Sequence, residues 1–215
     1  KGRFTRNSGA AVSADNEIFV NDVNNQRVQV YSMRGVFLRL FKTVTPAANG
    51  PVYEIQPCDV AMDGKGHLWV FGDQKSSFSA PLHVVKYNPD GVALTMFDVQ
   101  CWSLCPSMAV DARNNTIVVV VSDKIFMYQP DGTLLRRFGQ NERMTAQSVA
   151  VDVEGNVLVT DSGGWVHVYN HFGHWLFKFG GPGRGKGKLM GPQGICTDAC
   201  GHILVSDWGN KRIDM

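Results

Sequence analysis

Long apolar runs are missing from this sequence. Its longest aliphatic stretch, residues 117–121, falls far short of the roughly 20 residues that a membrane-spanning helix needs. Charge is also scarce. Asp, Glu, Lys and Arg make up 19% of the 215 residues and the formal net charge is +2, which by itself does not point to nucleic acid. No stretch keeps a helical apolar period over three turns. Cysteines are few and odd in number: Cys58, Cys101, Cys105, Cys196 and Cys200. That count argues against a secreted disulfide framework and for a reducing, cytoplasmic setting. Cys101-x3-Cys105 and Cys196-x3-Cys200 lack zinc-ribbon spacing, so no metal site is expected, and the thiols are expected in the core or at strand edges. His171 and His174 lie across a turn without a supporting carboxylate pattern. There is no Gly-x-Ser-x-Gly elbow and no phosphate-binding P-loop, so catalysis finds little support.

What the sequence does have is 44% hydrophobic residues and 23 glycines. This is enough apolar content for a core, which excludes disorder. The glycines show no collagen-like three-residue period.

The organising feature is a repeat. Tyr31, Tyr87, Tyr128 and Tyr169 are followed at fixed spacing by Gly35, Gly91, Gly132 and Gly173, then by Phe41, Phe97, Phe138 and Phe179. The pattern is Tyr-x3-Gly-x5-Phe. Upstream of each copy lie an apolar segment, a polar turn and an aliphatic strand. In the fourth unit this predicts strands at 148–151, 157–160, 166–169 and 175–179, separated by turns rich in Gly and Asn. Pro89-Asp90-Gly91 and Pro130-Asp131-Gly132 carry hairpin-turn chemistry. Four-stranded antiparallel units at a period of roughly 40–50 residues predict an all-β propeller. The units run approximately over 8–41, 57–97, 106–138, 147–179 and 192–215, the last incomplete. The repeat aromatics are expected to fill the wedges between blades.

Two segments carry a family resemblance. They are Asp22-Val23-Asn24-Asn25-Gln26-Arg27-Val28-Gln29-Val30-Tyr31 and Asp207-Trp208-Gly209-Asn210-Lys211-Arg212-Ile213-Asp214-Met215, with the opening Gly191-Pro192-Gln193-Gly194-Ile195. The chain resembles the NHL-repeat propeller at the C-terminus of tripartite-motif (RING, B-box, coiled-coil) ubiquitin ligases. Blade 2 departs from the signature with Phe71-Gly72-Asp73 and an insert over 74–81, and blade 3 lacks its Asn and Arg. The resemblance implies a usual six blades, so four full units and a partial fifth read as a truncated ring. The opening Lys1-Gly2-Arg3-Phe4 likewise reads as the start of a piece of a longer protein. An incomplete ring would expose blade edges to self-association.

Candidate site residues fall on the expected loop face. Five aligned positions open the third strands: Arg27, His83, Lys124, Trp165 and Arg212. Together they suggest a ring that holds phosphates and stacks a base. The competing reading pairs Arg27 with Asp22, and Arg212 with Asp207, inside each blade. A second feature is that residues 162–197 contain no Asp or Glu. Within them, Arg184, Lys186 and Lys188 alternate with glycines in an interblade loop, an arrangement that suits a phosphate chain or a merely solvated loop. The resemblance implies a non-catalytic recognition module, although some NHL-type propellers outside the ligase group are enzymes, including a lyase and lactonases. Two partner classes stand. One is a protein, anchored on Trp102, Trp165, Trp175 or Trp208. The other is single-stranded RNA, held by Arg184, Lys186, Lys188, Lys124 and Trp165. No cofactor and no membrane partner is expected.

Overall fold

The computed structural model describes residues 4, 6–74, 81–99, 107–139 and 144–215. Cys101, Trp102, Cys105 and most of the 74–81 insert lie outside the described residues. The chain is an all-β propeller. It divides into two compact units, 1–102 and 103–215. No helix among the described residues is long and apolar enough to cross a membrane.

The first unit holds two blades. Blade 1 is the sheet β1 (Ala10–Val12), β2 (Glu17–Asp22), β3 (Arg27–Ser32) and β4 (Phe37–Lys42), in that order. Blade 2 is β5 (Gln56–Met62), β6 (Leu68–Asp73), β7 (Leu82–Tyr87) and β8 (Ala93–Val99). The second unit holds three. Blade 3 is β9 (Ser107–Asp111), β10 (Thr116–Val121), β11 (Lys124–Tyr128) and β12 (Leu134–Phe138). Blade 4 is β13 (Ala146–Val151), β14 (Val157–Asp161), β15 (Trp165–Tyr169) and β16 (Trp175–Gly180). Blade 5 has three strands, β17 (Pro192–Thr197), β18 (Ile203–Asp207) and β19 (Arg212–Asp214). Every pairing within the blades is antiparallel, as the hairpin turns require.

Burial concentrates in the second strands. All of β10 and β14 is buried, whereas β12 and most of β16 face outward. β-Branched residues supply the middle strands because they pack closely on a pleated surface.

The structure explains the repeat motif. In each of four blades the ladder between third and fourth strands slips at the tyrosine: Val30/Tyr31, Lys86/Tyr87, Met127/Tyr128 and Val168/Tyr169. Such a bulge re-aims a side chain. The Phe41 ring of blade 1 lies 5.5 Å from the Tyr87 ring of blade 2, and Phe138 of blade 3 lies 5.1 Å from Tyr169 of blade 4. The glycines serve the same contact. A Cβ on Gly91 would stand 2.2 Å from Phe41, and one on Gly173 would stand 2.7 Å from Phe138. Both glycines also have positive φ, +87° and +79°, which L side chains rarely adopt. The Tyr and Gly of blades 2 and 4 therefore seat the Phe of blades 1 and 3. Around these seats close the apolar wedges, with Phe19, Val30, Val70 and Tyr87 in one and Val118, Val149, Val159 and Tyr169 in another.

One thiol departs from expectation: Cys200 is exposed in the β17–β18 turn, whereas Cys196, also exposed, lies on β17 at the edge of its sheet.

Candidate loop-face site in blades 4 and 5

Register fixes which residues share an edge. Arg27 pairs with Asp22 and Lys42, His83 with Gly72 and Asp98, Lys124 with Val121, Trp165 with Gly180, and Arg212 with Asp207. Each third strand thus opens on the edge where its second strand ends.

In the first unit both candidates are engaged within their own blades. Arg27 Nε donates to the buried Asp22 carboxylate at 2.8 Å, which also accepts from Asn25 and Gln29. His83 is only 4% exposed, and its Nδ1 lies 2.7 Å from Asp98. Lys124 is half-buried at the start of β11.

In blades 4 and 5 the candidates converge. Trp165 is half-buried, with Lys178 Nζ 4.5 Å from its ring centroid. This is a cation–π contact at a partly exposed site. Lys188 Nζ donates to the Gly180 carbonyl at 3.2 Å. A Cβ on Gly181 would meet both Lys188 Nζ and the Trp165 ring at 3.1 Å, which places both beside one backbone position. Arg212 does more than pair with Asp207 at 3.4 Å and Asp214 at 2.8 Å. Its guanidinium donates to the carbonyls of Arg184, Gly185 and Lys188 at 3.2, 3.1 and 2.6 Å. Asn210 donates to Gly183, and the Asp207 carboxylate accepts from the Met190 N–H. The loop backbone is consequently tied to blade 5, while the side chains of Arg184 and Lys186 remain exposed. Next to it, Met190, Gln193, Ser206, Trp208, Arg212 and Ile213 line an open groove of about 850 Å³.

The acid-free stretch does not form one patch. His167 is 1% exposed and bonds Asp161 through Nε2 at 2.8 Å. His171 and His174 lie in the β15–β16 turn, at the edge opposite the loop.

Two buried carboxylates contribute to the acid response of these blades. Burial alone would raise the Asp161 carboxyl, but bonds from His167 and the Trp165 N–H outweigh it and hold it below its ordinary 3.8. Asp207 is likewise lowered: burial raises it, and Asn210, the Met190 N–H and Arg212 overcome that. A folded pKa below the unfolded value gives stability that is present above the unfolded pKa and lost as pH falls through the folded one. Denaturant midpoints read from pH 6 to 2 should therefore fall from about pH 4 downward. Asp161→Asn should flatten part of that slope. An unchanged slope would mean the His167 pair contributes nothing.

Sequence reasoning missed His167 and Gln29 as alternative partners of the same blade carboxylate. It also missed the cluster Asp198, Cys200 and His202 on the opposite edge of blade 5. The alternating Asp-x-Cys-x-His spacing carries that signal in the sequence.

No protein-family model matches the chain. The protein brain tumor of Drosophila melanogaster is 30% identical over 120 residues, covering 55% of this chain and 11% of that protein. The chain thus spans about a tenth of the length of that curated relative. Among solved structures, virginiamycin B lyase from Staphylococcus aureus superposes with a TM-score of 0.68 at 13% identity, over 99% of this chain and 67% of that one. A protein of unknown function from Bacteroides caccae gives 0.67 at 14% identity, over 94% and 71%. Likeness at such identity shows the fold alone.

Proposed function

We propose that this propeller is a non-catalytic recognition module of the NHL type, which selects a protein partner through the loop face of blades 4 and 5. In this reading its parent is a tripartite-motif ubiquitin ligase acting in the cytoplasm, and the propeller chooses the target. The observation that carries it is Trp208, 73% exposed, which lines the groove together with Met190 and Ile213. A large aromatic next to an apolar groove and an arginine is the composition of a binding hot spot. The blade aspartates support the non-catalytic part, because Asp22, Asp161 and Asp207 are each engaged by their own blade.

A photocrosslinking residue placed at Lys211, which lines the groove, tests the reading in cells. A specific protein crosslink that disappears with Trp208→Ala supports it. Crosslinks unchanged by that substitution count against it.

A second reading, single-stranded RNA, rests on Arg184 and Lys186 beside the Trp165–Lys178–Lys188 cluster. Cations next to a stackable ring suit phosphates and a base. Fluorescence polarisation with a randomised RNA pool at two salt concentrations separates the two. Salt-dependent binding that is lost in Arg184→Ala/Lys186→Ala/Lys188→Ala favours RNA. No binding by a folded sample removes it.

A further inference from the structure

We propose that the β17–β18 turn of blade 5 is a binding site for a divalent transition-metal ion of the zinc type, with Asp198, Cys200 and His202 as its protein ligands. The three residues alternate along the tight turn that joins β17 to β18. One potential ligand atom from each lies within 4.8 Å of the other two, and all three residues are exposed. Zn–S bonds of about 2.3 Å and Zn–N bonds of about 2.0–2.1 Å put tetrahedral donor atoms roughly 3.3–3.7 Å apart. Small rotations of exposed side chains close that difference.

The turn itself is already built. Asp198 Oδ1 accepts the N–H groups of Cys200 and His202 at 2.9 and 2.8 Å, which fixes the carboxylate. Asp198 Oδ2 lies 2.7 Å from His202 Nδ1, so two of the three donors already face each other.

The same turn in blade 2 shows what is particular about blade 5. There Asp63 holds the Lys65 and His67 N–H groups in the same way. Its second oxygen is taken by the Trp69 indole at 3.1 Å and by Lys86 at 3.4 Å, and the carboxylate is buried. Blade 5 has Leu204 where blade 2 has Trp69, and a leucine donates nothing. Cys200 stands where Lys65 stands, so a thiol replaces a cation. The two changes convert a structural turn into a set of one oxygen, one nitrogen and one sulfur donor. A mixed set containing thiolate and imidazole selects zinc-like ions over magnesium or calcium. On binding, the Cys200 thiol gives its proton to solvent as the metal–sulfur bond forms, and the metal replaces the Asp198–His202 hydrogen bond. Water supplies the fourth position.

The test uses the tag-free full chain in a non-thiol reductant, titrated with Co²⁺ and then Zn²⁺. We expect one equivalent of Co²⁺ to give a thiolate-to-metal charge-transfer band that Zn²⁺ abolishes. Zn²⁺ should also protect Cys200, located by mass spectrometry, from alkylation. Loss of an outer-shell partner alone typically weakens a site roughly 10–100-fold. Cys200→Ser and His202→Ala should therefore each weaken binding at least about tenfold. Cys196→Ser should leave it unchanged. The turn is exposed, so these variants should keep the wild-type circular dichroism. Absence of a thiolate band, affinity unchanged in Cys200→Ser, or a band lost with Cys196→Ser instead would each overturn the assignment.

Discussion

Tyr87→Ala should lower the stability of the first unit by about 3–5 kcal/mol, the range for emptying a buried aromatic site. Tyr87 is fully buried, packs at a tilt against Phe41 of the preceding blade, and anchors the connector between the two blades. Its hydroxyl donates to the Val44 carbonyl at 2.6 Å and accepts from the Val44 N–H at 2.8 Å. Tyr87→Phe keeps the ring but strands both backbone groups, which should cost about 1–3 kcal/mol. Gly91→Ala adds a second handle on the same seat. Its new methyl would collide with Phe41, so the part of its cost due to that collision should shrink in a Phe41→Ala background. Denaturant midpoints give the totals, and hydrogen exchange over 27–62 and 82–99 gives the location. A neutral Tyr87→Phe would show that Val44 is not held by the hydroxyl.

This seat also marks how far the sequence could be read. Fixed spacing exposed the repeat, and Pro-Asp-Gly turns exposed the hairpins, because both are local. The partner of Phe41 was not local. The motif places Tyr31, Gly35 and Phe41 in one repeat, yet Phe41 meets Tyr87 and Gly91 of the next. At the loop face, the same limit recurs. Arg212 paired with Asp207 as the spacing suggested, but it also donates to three backbone carbonyls, which have no residue identity to read. His83 aligned with surface cations and turned out buried, because its environment depends on Asp98 across the ladder. The acid-free run from 162 to 197 crosses β15 and β16 and returns, so a linear charge count merged two opposite edges. Gln29 and His167 perform one task with different side chains, and a search for identical residues passes over them.

Asp22→Ala should cost the first unit about 3 kcal/mol or more, the scale for removing one partner of a buried polar network. The carboxylate has no exposed surface and accepts from Asn25 at 2.9 Å, Arg27 at 2.8 Å and Gln29 at 3.1 Å. Gln29 is itself fully buried, and its carbonyl accepts from the Tyr31 hydroxyl at 2.9 Å. Deleting Asp22 therefore removes the acceptor of a fully buried amide, Gln29, and the acidic partner of Arg27 together. Arg27→Ala leaves the carboxylate its two amide donors, so its cost should be smaller, about 1–2 kcal/mol. The ordering of these two variants, read from denaturant midpoints, decides what Arg27 is for. A measurable loss for Arg27→Ala makes the arginine a structural clamp of blade 1, as Arg212 is of blade 5. A loss near zero would mean that the fold does not need its charge. Arg27 would then return to the loop face as a residue kept for a partner.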